Sequence, residues 1–332
     1  MAALTDPMTA GPDASGPEII ELRHLSAREL DPLLLEETVE WQRELDWDFS
    51  RSADLVRQFA DMHSLLGFAL LDRGEVAGYG YSVLEDHKGL IGDLYLRPHW
   101  RDGVNDERLL RAILDGLIAV RNVRRIESQL MLVDPAVGRA LERERPVELQ
   151  QRVLMRLDTS IPPYLPSGIA LRRFHFEPWS EHHHEMAANV ISLAYANHID
   201  SRINDQYRSP AGARRFLYNI VQFPGCGAFF NKASFVAFDP RTGGMVGVVL
   251  ASFVAEEVGH ITQLCVTPQA QGRRLGYELL RESINALRIY GARRVSLTVT
   301  ASNEPAIRLY RGCGFAEMRR FLSYVWDGAR IN

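Results

Sequence analysis

The sequence repeats itself at an offset of 170 residues, and this repeat restricts the possible folds more than any other feature of the chain. Residues 91–98, IGDLYLRP, align without gaps with residues 261–268, ITQLCVTP. In both copies an alternating apolar stretch ends at a proline, and a polar loop and a long amphipathic segment follow. A pair of arginines and a second apolar stretch come next in each copy. Any two strand-loop-helix units share some of this pattern, but the matching prolines and arginine pairs favour duplication.

The repeat and the length together predict two domains. A chain of 332 residues exceeds the ~100 to 200 residues of a usual domain. Three prolines interrupt residues 159–167, which we therefore expect to be a linker. The predicted division is a disordered tail at 1–17, a first domain at 18–158, the linker, and a second domain at 168–332.

Each half is predicted to follow the order β-α-α-β-β-β-α-β-α-β-β. This order is typical of an α+β fold in which a mixed, mostly antiparallel, twisted sheet is flanked by helices. The predicted first strands are Ile19–Leu25 and Ile169–Phe174, and the predicted first helices are Ala27–Leu45, Ser52–His63, His183–Ala196 and Pro210–Gln222.

Several classes of protein are disfavoured by composition. The longest nearly apolar run, Met245–Ala255, is shorter than the ~20 residues of a membrane-spanning helix. The three cysteines are too far apart for a CxxC pair, a disulfide framework or a structural zinc site. We expect a cytoplasmic protein without membrane or nucleic-acid partners, and a homodimer remains open.

Charge divides the chain in the same place as the repeat. Residues 1–160 carry 19 Lys and Arg against 29 Asp and Glu, and the remainder carries 19 against 13. The basic second half suits an anionic ligand, and the acidic first half mildly favours a cationic partner.

A candidate anion-binding loop, QGRRLG, lies at 271–276 between a predicted strand and a predicted helix. Such a junction directs backbone N–H groups and the positive end of the helix dipole at one point. Its glycines allow close approach of a ligand, and its arginines add charge. A plain helix start with two surface arginines would look similar. The residues expected to bind the anion are Gln271, Gly272, Arg273, Arg274, Leu275, Gly276 and Tyr277.

The loop, the following helix and strand, and residues 303–315, NEPAIRLYRGCGF, together resemble the GNAT superfamily of acyl-CoA N-acyltransferases. The resemblance covers about 169–325. It implies two tandem GNAT-like domains and an acetyl-CoA-dependent N-acetyltransferase that transfers the acetyl group directly to a primary amine. The acceptor would be a small molecule or a peptide. The family has a glycine where this chain has Arg274, and we expect Arg274 to be tolerated at a negative φ.

The resemblance also implies roles for individual residues. The backbone of Leu264, Cys265 and Val266 would pair with the pantetheine arm, and the N–H of Leu264 or Cys265 would polarise the thioester carbonyl. Tyr310 would protonate the departing CoA thiolate. Asn303 and Ala306 would contact CoA, although Asn303 is equally suited to capping a helix.

The general base and the acceptor site are less defined. The family often has a glutamate where this chain has Thr262 and Gln263, and neither side chain can accept a proton. Nearby His260 and Glu257 could act through water, or a neutral amine would need no base. The acceptor candidates are His198, Asp200, Asp205 and Tyr207, on a segment that could equally be a structural loop.

No metal is expected. The run His182-His183-His184 looks like a surface helix start, because consecutive residues on a helix point in different directions.

The first half is predicted to be a degenerate copy. Carboxylates in its loop would repel an anion, and its helix Ala136–Glu144 contains no tyrosine. It would serve as scaffold, acceptor-site wall or dimer surface. Within the repeat, Gln271, Gly272, Gly276 and Tyr277 align with Arg101, Asp102, Asp106 and Glu107.

A rival function for the whole chain is a non-catalytic acyl-CoA-binding sensor.

Overall fold

A computed structural model describes residues 16–142, 146–223 and 225–328 of the chain. The predicted tail at 1–17 lies outside these residues except for its last two. The elements of the first half are β1 (Glu18–Glu21), α1 (Ala27–Leu45), α2 (Ser50–Asp61), β2 (Leu66–Asp72), β3 (Glu75–Glu85), β4 (Lys88–Leu96), α3 (Val104–Ile118), β5 (Arg125–Leu130), α4 (Pro135–Glu142) and β6 (Glu148–Asp158).

The second half repeats this order with short additions. Its elements are β7 (His175–Pro178), α5 (His184–Tyr195), α6 (Asp200–Ile203), α7 (Pro210–Gln222), β8 (Ala228–Phe229), β9 (Phe235–Phe238), β10 (Met245–Ala255), β11 (Val258–Val266), α8 (Leu275–Ile289), β12 (Arg294–Thr300), α9 (Glu304–Gly312) and β13 (Ala316–Asp327). The α+β prediction is confirmed. No helix among the described residues is long and apolar enough to cross a membrane.

Two predicted strands are wrong in part. Ile169–Phe174 was expected to open the second domain as a strand, but Ile169–Arg172 is a 3-10 turn and β7 follows it. Ala170 and Phe174 are both buried in one core, but residues four apart share a face in a strand and in a helical turn alike, so their pattern does not distinguish the two. In the first half, the predicted strand Ile19–Leu25 ends early, because Leu22–His24 forms a 3-10 turn after β1.

The strands form one sheet in which the two halves exchange their last strands. The order is β1-β2-β3-β4-β5-β13-β6-β12-β11-β10-β9-β7, with β8 paired to β10. The last strand of the second half, β13, pairs with β5, and the last strand of the first half, β6, pairs with β12. Each half was expected to end in two strands, but each ends in one. The strand that pairs beside it comes from the other half.

Both halves contain a parallel strand pair that separates at the same point. β4 pairs with β5 over Lys88–Ile91, and β11 pairs with β12 over Val258–Ile261. In each half the helix that follows packs a leucine, Leu117 or Leu287, on a glycine of the pair. Beyond Ile261 one edge of β11 is left without a strand partner, and this edge borders the candidate site.

Candidate active site

A cleft of about 850 Å³ opens where β11 and β12 diverge. The end of β11 forms one wall, and β12 with the start of α9 forms the other. The start of α8 and the segment after α5 close its two ends. The cleft collects most of the residues that the sequence singled out: Leu264, Cys265, Val266, Gln271, Gly272, Arg274, Leu275, Gly276, Tyr277, Asn303, Ala306 and Tyr310, with His198, Asp200 and Tyr207.

The backbone of the anion loop differs from expectation at one residue. Arg274 has a φ of 62°, in the left-handed region, and is the N-cap of α8. The expected negative φ is therefore wrong. The glycine usual at this position avoids a conformation that costs a residue with a side chain roughly 1–2 kcal/mol. Arg274 is exposed and lines the cleft, where its charge can face a phosphate.

Arg273 does not line the cleft. Its guanidinium bonds Asp239 at 3.2 Å and lies over the ring of Phe174, 4.4 Å from the centroid. Hydrogen bonds from Arg241, with a smaller contribution from Arg273, lower the pKa of Asp239. Arg273 therefore fastens the loop to the domain, and the cleft-facing charge of the loop comes from Arg274.

The alternation of hydrogen bonds along β11 selects one of the two oxyanion candidates. The N–H of Thr267 donates to Val246 on the β10 side, at 2.9 Å. Cys265 is aligned with Val248 of β10, two residues before Thr267, so its N–H points to β10 as well. The N–H of Leu264 and that of Val266 point the other way, into the cleft. Leu264 is therefore the candidate donor.

Tyr310 is 9% exposed and lies on α9, whose N-cap is Asn303. Burial, with a smaller contribution from the negative charge of Asp200, raises the pKa of Tyr310. Its phenol is therefore protonated at neutral pH and can serve as an acid. Asn303 caps α9, since its Oδ1 accepts the N–H of Ala306, and its Nδ2 lies 3.1 Å from Nε2 of His198.

Neither of the predicted general bases reaches the cleft. His260 is buried, with Nδ1 2.8 Å from the hydroxyl of Ser296 and its ring 5.0 Å from that of Trp47. Burial lowers the pKa of His260 to about 4. Glu257 lies in the turn before β11 and forms an ion pair with Arg293 at 3.0 Å. His260 and Glu257 were predicted because they lie close to Leu264 in the sequence. The strand directs His260 into the interior and leaves Glu257 in a turn, so neither side chain lines the cleft.

The acceptor end of the cleft differs from prediction in two ways. Asp205 does not line it and instead bonds Lys88 of the first half at 2.7 Å. Arg152 of β6 and Tyr195 do line it, although neither was predicted. Tyr195 could have been recognised, because it borders the polar and aromatic segment that supplied the other candidates. Arg152 could not, because only the strand exchange brings β6 to this site.

The histidine run is more compact than expected. His182 and His183 lie in a 3-10 turn, where their ring centroids are 4.0 Å apart, and Glu177 completes a group with ligand atoms within 4.8 Å of one another. The divergence expected for an α-helix is therefore wrong. Nδ1 of His183 accepts the N–H of Ser180, and its Nε2 faces Glu177 at 3.3 Å. Both ring nitrogens of His183 are thus occupied by protein partners.

In the equivalent loop of the first half, side-chain carboxylates accept hydrogen bonds from backbone N–H groups of the same loop. The carboxylate of Asp102 accepts the N–H of Asn105 at 2.8 Å, and that of Asp106 accepts the N–H of Gly103 at 3.1 Å. Arg101 turns away and bonds Glu40. Two of the backbone donors of this loop, the N–H groups of Gly103 and Asn105, are therefore already satisfied by its own carboxylates.

Comparisons with known proteins found similar acetyltransferases by sequence and by structure. The sequence profile of the Acetyltransferase (GNAT) family matches residues 199–315. A mycothiol acetyltransferase of Thermobispora bispora is 29% identical over 256 residues, which are 74% of this chain and 78% of that protein. The crystal structure of a GCN5-related N-acetyltransferase from Sphaerobacter thermophilus has a TM-score of 0.67 at 18% identity, covering 93% of this chain and 95% of that one.

A tandem GNAT protein from the clavulanic acid biosynthesis pathway has a TM-score of 0.57 at 14% identity, covering 94% of this chain and 99% of that one. At these identities the two structures show the fold alone. Fold and family profile agree: residues 199–315 match the GNAT family of acetyltransferases, and the chain shares the fold of these two structures.

Proposed function

We propose that the second half transfers the acetyl group of acetyl-CoA directly to a primary amine. The observation that carries this proposal is the single cleft that joins the anion loop, the free edge of β11 and the buried acid Tyr310. The loop before α8 would hold the pyrophosphate, and β11 would pair with the pantetheine arm. Acetyl-CoA is the co-substrate of GNAT acetyltransferases, and the residues that line the cleft suit its chemistry.

The reaction proceeds in one displacement. The amine nitrogen attacks the thioester carbonyl carbon, a C–N bond forms, and the C–S bond breaks. The N–H of Leu264 stabilises the negative charge that develops on the carbonyl oxygen. Tyr310 gives its proton to the departing CoA sulfur. The nitrogen loses a proton in the same process, and the products are an acetamide and CoA.

The base for this proton is best supplied by His198. Its imidazole lines the cleft, where its Nδ1 accepts the backbone N–H of Asp200 at 3.2 Å and its Nε2 lies 3.1 Å from Nδ2 of Asn303. To act as the base, the ring would take the proton at Nε2, in place of its contact with Asn303. Asp200 also offers an anion to the ammonium form of the incoming amine.

One active site per chain is expected. The first half has no tyrosine in α4 (Pro135–Glu142), and its loop carboxylates oppose an anion. Residues 18–158 would therefore be inactive, and residues 168–332 would carry the chemistry. The strand β6 of the first half would pair with β12 and β13 of the active half. The name of the mycothiol acetyltransferase relative favours a small-molecule amine as the acceptor.

The test is thiol release from acetyl-CoA by the full chain over a panel of amines. The panel contains the deacetylated form of mycothiol, simple alkylamines and short peptides with free N-termini. Replacing Tyr310→Phe should lower kcat about 10²-fold to 10⁴-fold, the usual contribution of a general acid, and leave the Kd for CoA unchanged.

The matched control is Tyr324→Phe. Tyr324 is another fully buried tyrosine, and its hydroxyl has no hydrogen-bond partner among the described residues. This variant should retain full activity. Binding of CoA without transfer to any amine by the parent protein would contradict the proposal and support a sensor.

A further inference from the structure

The first half of the chain holds the segment that carries the acceptor candidates. We define the acceptor loop as residues 198–208, which contain α6 and the turn Asp205–Arg208. Side chains from β6, β4, β5 and the end of β3 all bond to this loop, although the loop belongs to the second half by sequence.

The first contact is made by Arg152. Its Nη1 donates to Asp200 at 3.0 Å and to the hydroxyl of Thr300 at 2.6 Å, and that hydroxyl also donates to Asp200. The side chains of Arg152 and Asp200 are 11% and 16% exposed. Charged hydrogen bonds that are shielded from water are strong and directional. Asp200 is therefore fixed at the acceptor end of the cleft by two donors.

The second contact is made by Lys88, whose side chain is 7% exposed. Its ammonium bonds Asp205 at 2.7 Å and lies 3.3 Å from Glu127. Glu127 in turn accepts the backbone N–H of Asp205 at 3.0 Å. Breaking a buried network of this kind leaves a charge without compensation, so the network holds the loop in one position.

Two further bonds hold the middle of the loop. Arg125 donates to the carbonyl of Arg202 at 2.6 Å, and Gln206 donates to Glu85 at 3.0 Å. Contacts are thus distributed along the loop from Asp200 to Gln206.

The position of the loop is linked to the strand that faces the thioester. Tyr207 stacks on Tyr195, with ring centroids 4.4 Å apart. The hydroxyl of Tyr195 donates to Gln263, the residue before Leu264, at 3.2 Å. A shift of the loop would therefore change the distance of His198 and Asp200 from the reacting carbonyl.

We propose that the first half acts as a clamp that positions the acceptor loop, with Arg152 and Lys88 as its principal positioning residues for the amine substrate. The inference rests on the proposed function. It assigns the degenerate half a role in acceptor binding, in which β6 completes a site that the second half cannot build alone.

The test compares variants on one strand of the full-length protein. Arg152→Gln removes the charge that holds Asp200, and Arg152→Lys retains it. Arg156→Gln is the matched control, because Arg156 lies on the same face of β6 and pairs with Asp46 at 2.6 Å, away from the acceptor loop. Asp205→Asn weakens the Lys88 contact without leaving a buried cation alone, since Glu127 remains beside it.

Two measurements are made on each variant. Hydrogen–deuterium exchange of peptides covering 198–208 reports the loop without any substrate. Steady-state kinetics with the best amine of the panel give KM for the amine and for acetyl-CoA separately.

Arg152→Gln should speed exchange in the loop and raise KM for the amine about tenfold or more, the usual effect of losing a charged hydrogen bond. KM for acetyl-CoA should stay unchanged. Asp205→Asn should show the same pattern more weakly, Arg152→Lys should restore most of the amine affinity, and Arg156→Gln should match the parent.

Unchanged exchange in folded Arg152→Gln would overturn the clamp. Faster exchange with an unchanged KM for the amine would overturn its role in acceptor binding. Failure of the proposed function has a different signature, because the parent protein would then transfer acetyl to no amine while the exchange measurement still reports on the loop.

Discussion

At the scale of single residues, Gly276 is a position where packing would allow a side chain and a bound ligand would not. A Cβ at this position would meet only Val266 at 3.8 Å and Leu309 at 4.0 Å, which are ordinary contacts. Gly276 lies in the first turn of α8 and lines the cleft, where the resemblance places a phosphate. Packing therefore does not require glycine at this position, whereas the proposed approach of a phosphate would.

Gly276→Ala should therefore affect stability and binding in opposite directions. Alanine is about 0.5–1 kcal/mol more favourable than glycine inside a helix, so the free energy of unfolding should rise. The added methyl group should crowd the pyrophosphate and weaken CoA binding about tenfold. Urea unfolding and calorimetric titration with CoA measure the two effects, and equal CoA affinity in the more stable variant would place the phosphate elsewhere.

Residues could be predicted where a role depends on spacing along one segment. Tyr310 and Gly276 were predicted in this way to share one site, and both line the cleft, because each belongs to a motif that folds locally. His260 was misplaced because its strand turns it towards Trp47 of the first half. Arg152 was missed because its role depends on which strand lies beside β12, and that pairing is decided across 148 residues of chain.

At the scale of elements, the packing of α1 on the sheet buries two carboxyl groups together. Glu37 of α1 is 0% exposed and accepts the hydroxyl of Tyr79 at 2.7 Å, and Asp93 of β4 is 3% exposed. Burial raises the pKa of Asp93 to about 6. Burial, and then the charge of Asp93, raise the pKa of Glu37. The pair therefore retains a proton that the unfolded chain would release.

This pair should make stability decrease as pH rises. A carboxyl group with a raised folded pKa stabilises the fold below its unfolded pKa, near 4, and that contribution is lost as pH rises to about 6. Asp93→Asn keeps the shape, and its amide can donate to Glu37. The variant should gain about 2 kcal/mol over the parent protein between pH 4 and pH 7.

Urea unfolding at a series of pH values measures this difference in the free energy of unfolding. Asp54→Asn is the control, because the side chain of Asp54 is 73% exposed in an i,i+3 pair on α2. A constant difference between Asp93→Asn and the parent across this range would contradict the shared proton.

Elements were predicted well where local pattern and packing agree, as in α1 and α7, whose bounds are those expected from the sequence. Periodicity failed at 169–174, because the buried side chains of Ala170 and Phe174, four residues apart, are compatible with a strand and with a turn. It also failed for the last strand of each half, because alternation of apolar and polar residues predicts a strand but not the strands that pair with it.

At the scale of the whole molecule, the exchange of β6 and β13 makes the two halves one folding unit. β6 lies between β13 and β12, and its residues 152–158 pair with Arg294–Thr300 on one side while its residues 148–156 pair with Ala316–Val325 on the other. Its residues Val153, Met155 and Leu157 are buried in the core of the second half. The sequence boundary at 159–167 therefore does not separate two independent cores.

A fragment of 168–332 should consequently fail to fold, although it contains every predicted catalytic residue. Without β6, the facing edges of β12 and β13 would be left unpaired, and the core beneath them would lose three buried side chains. A fragment of 146–332 restores β6 and should recover a cooperative thermal transition and CoA binding, at a lower Tm than the full chain because β13 still lacks β5. Circular dichroism melting and CoA titration of both fragments measure this difference. Cooperative folding of 168–332 by itself would show that the exchanged strand is dispensable, and the duplicated halves would then be separable domains.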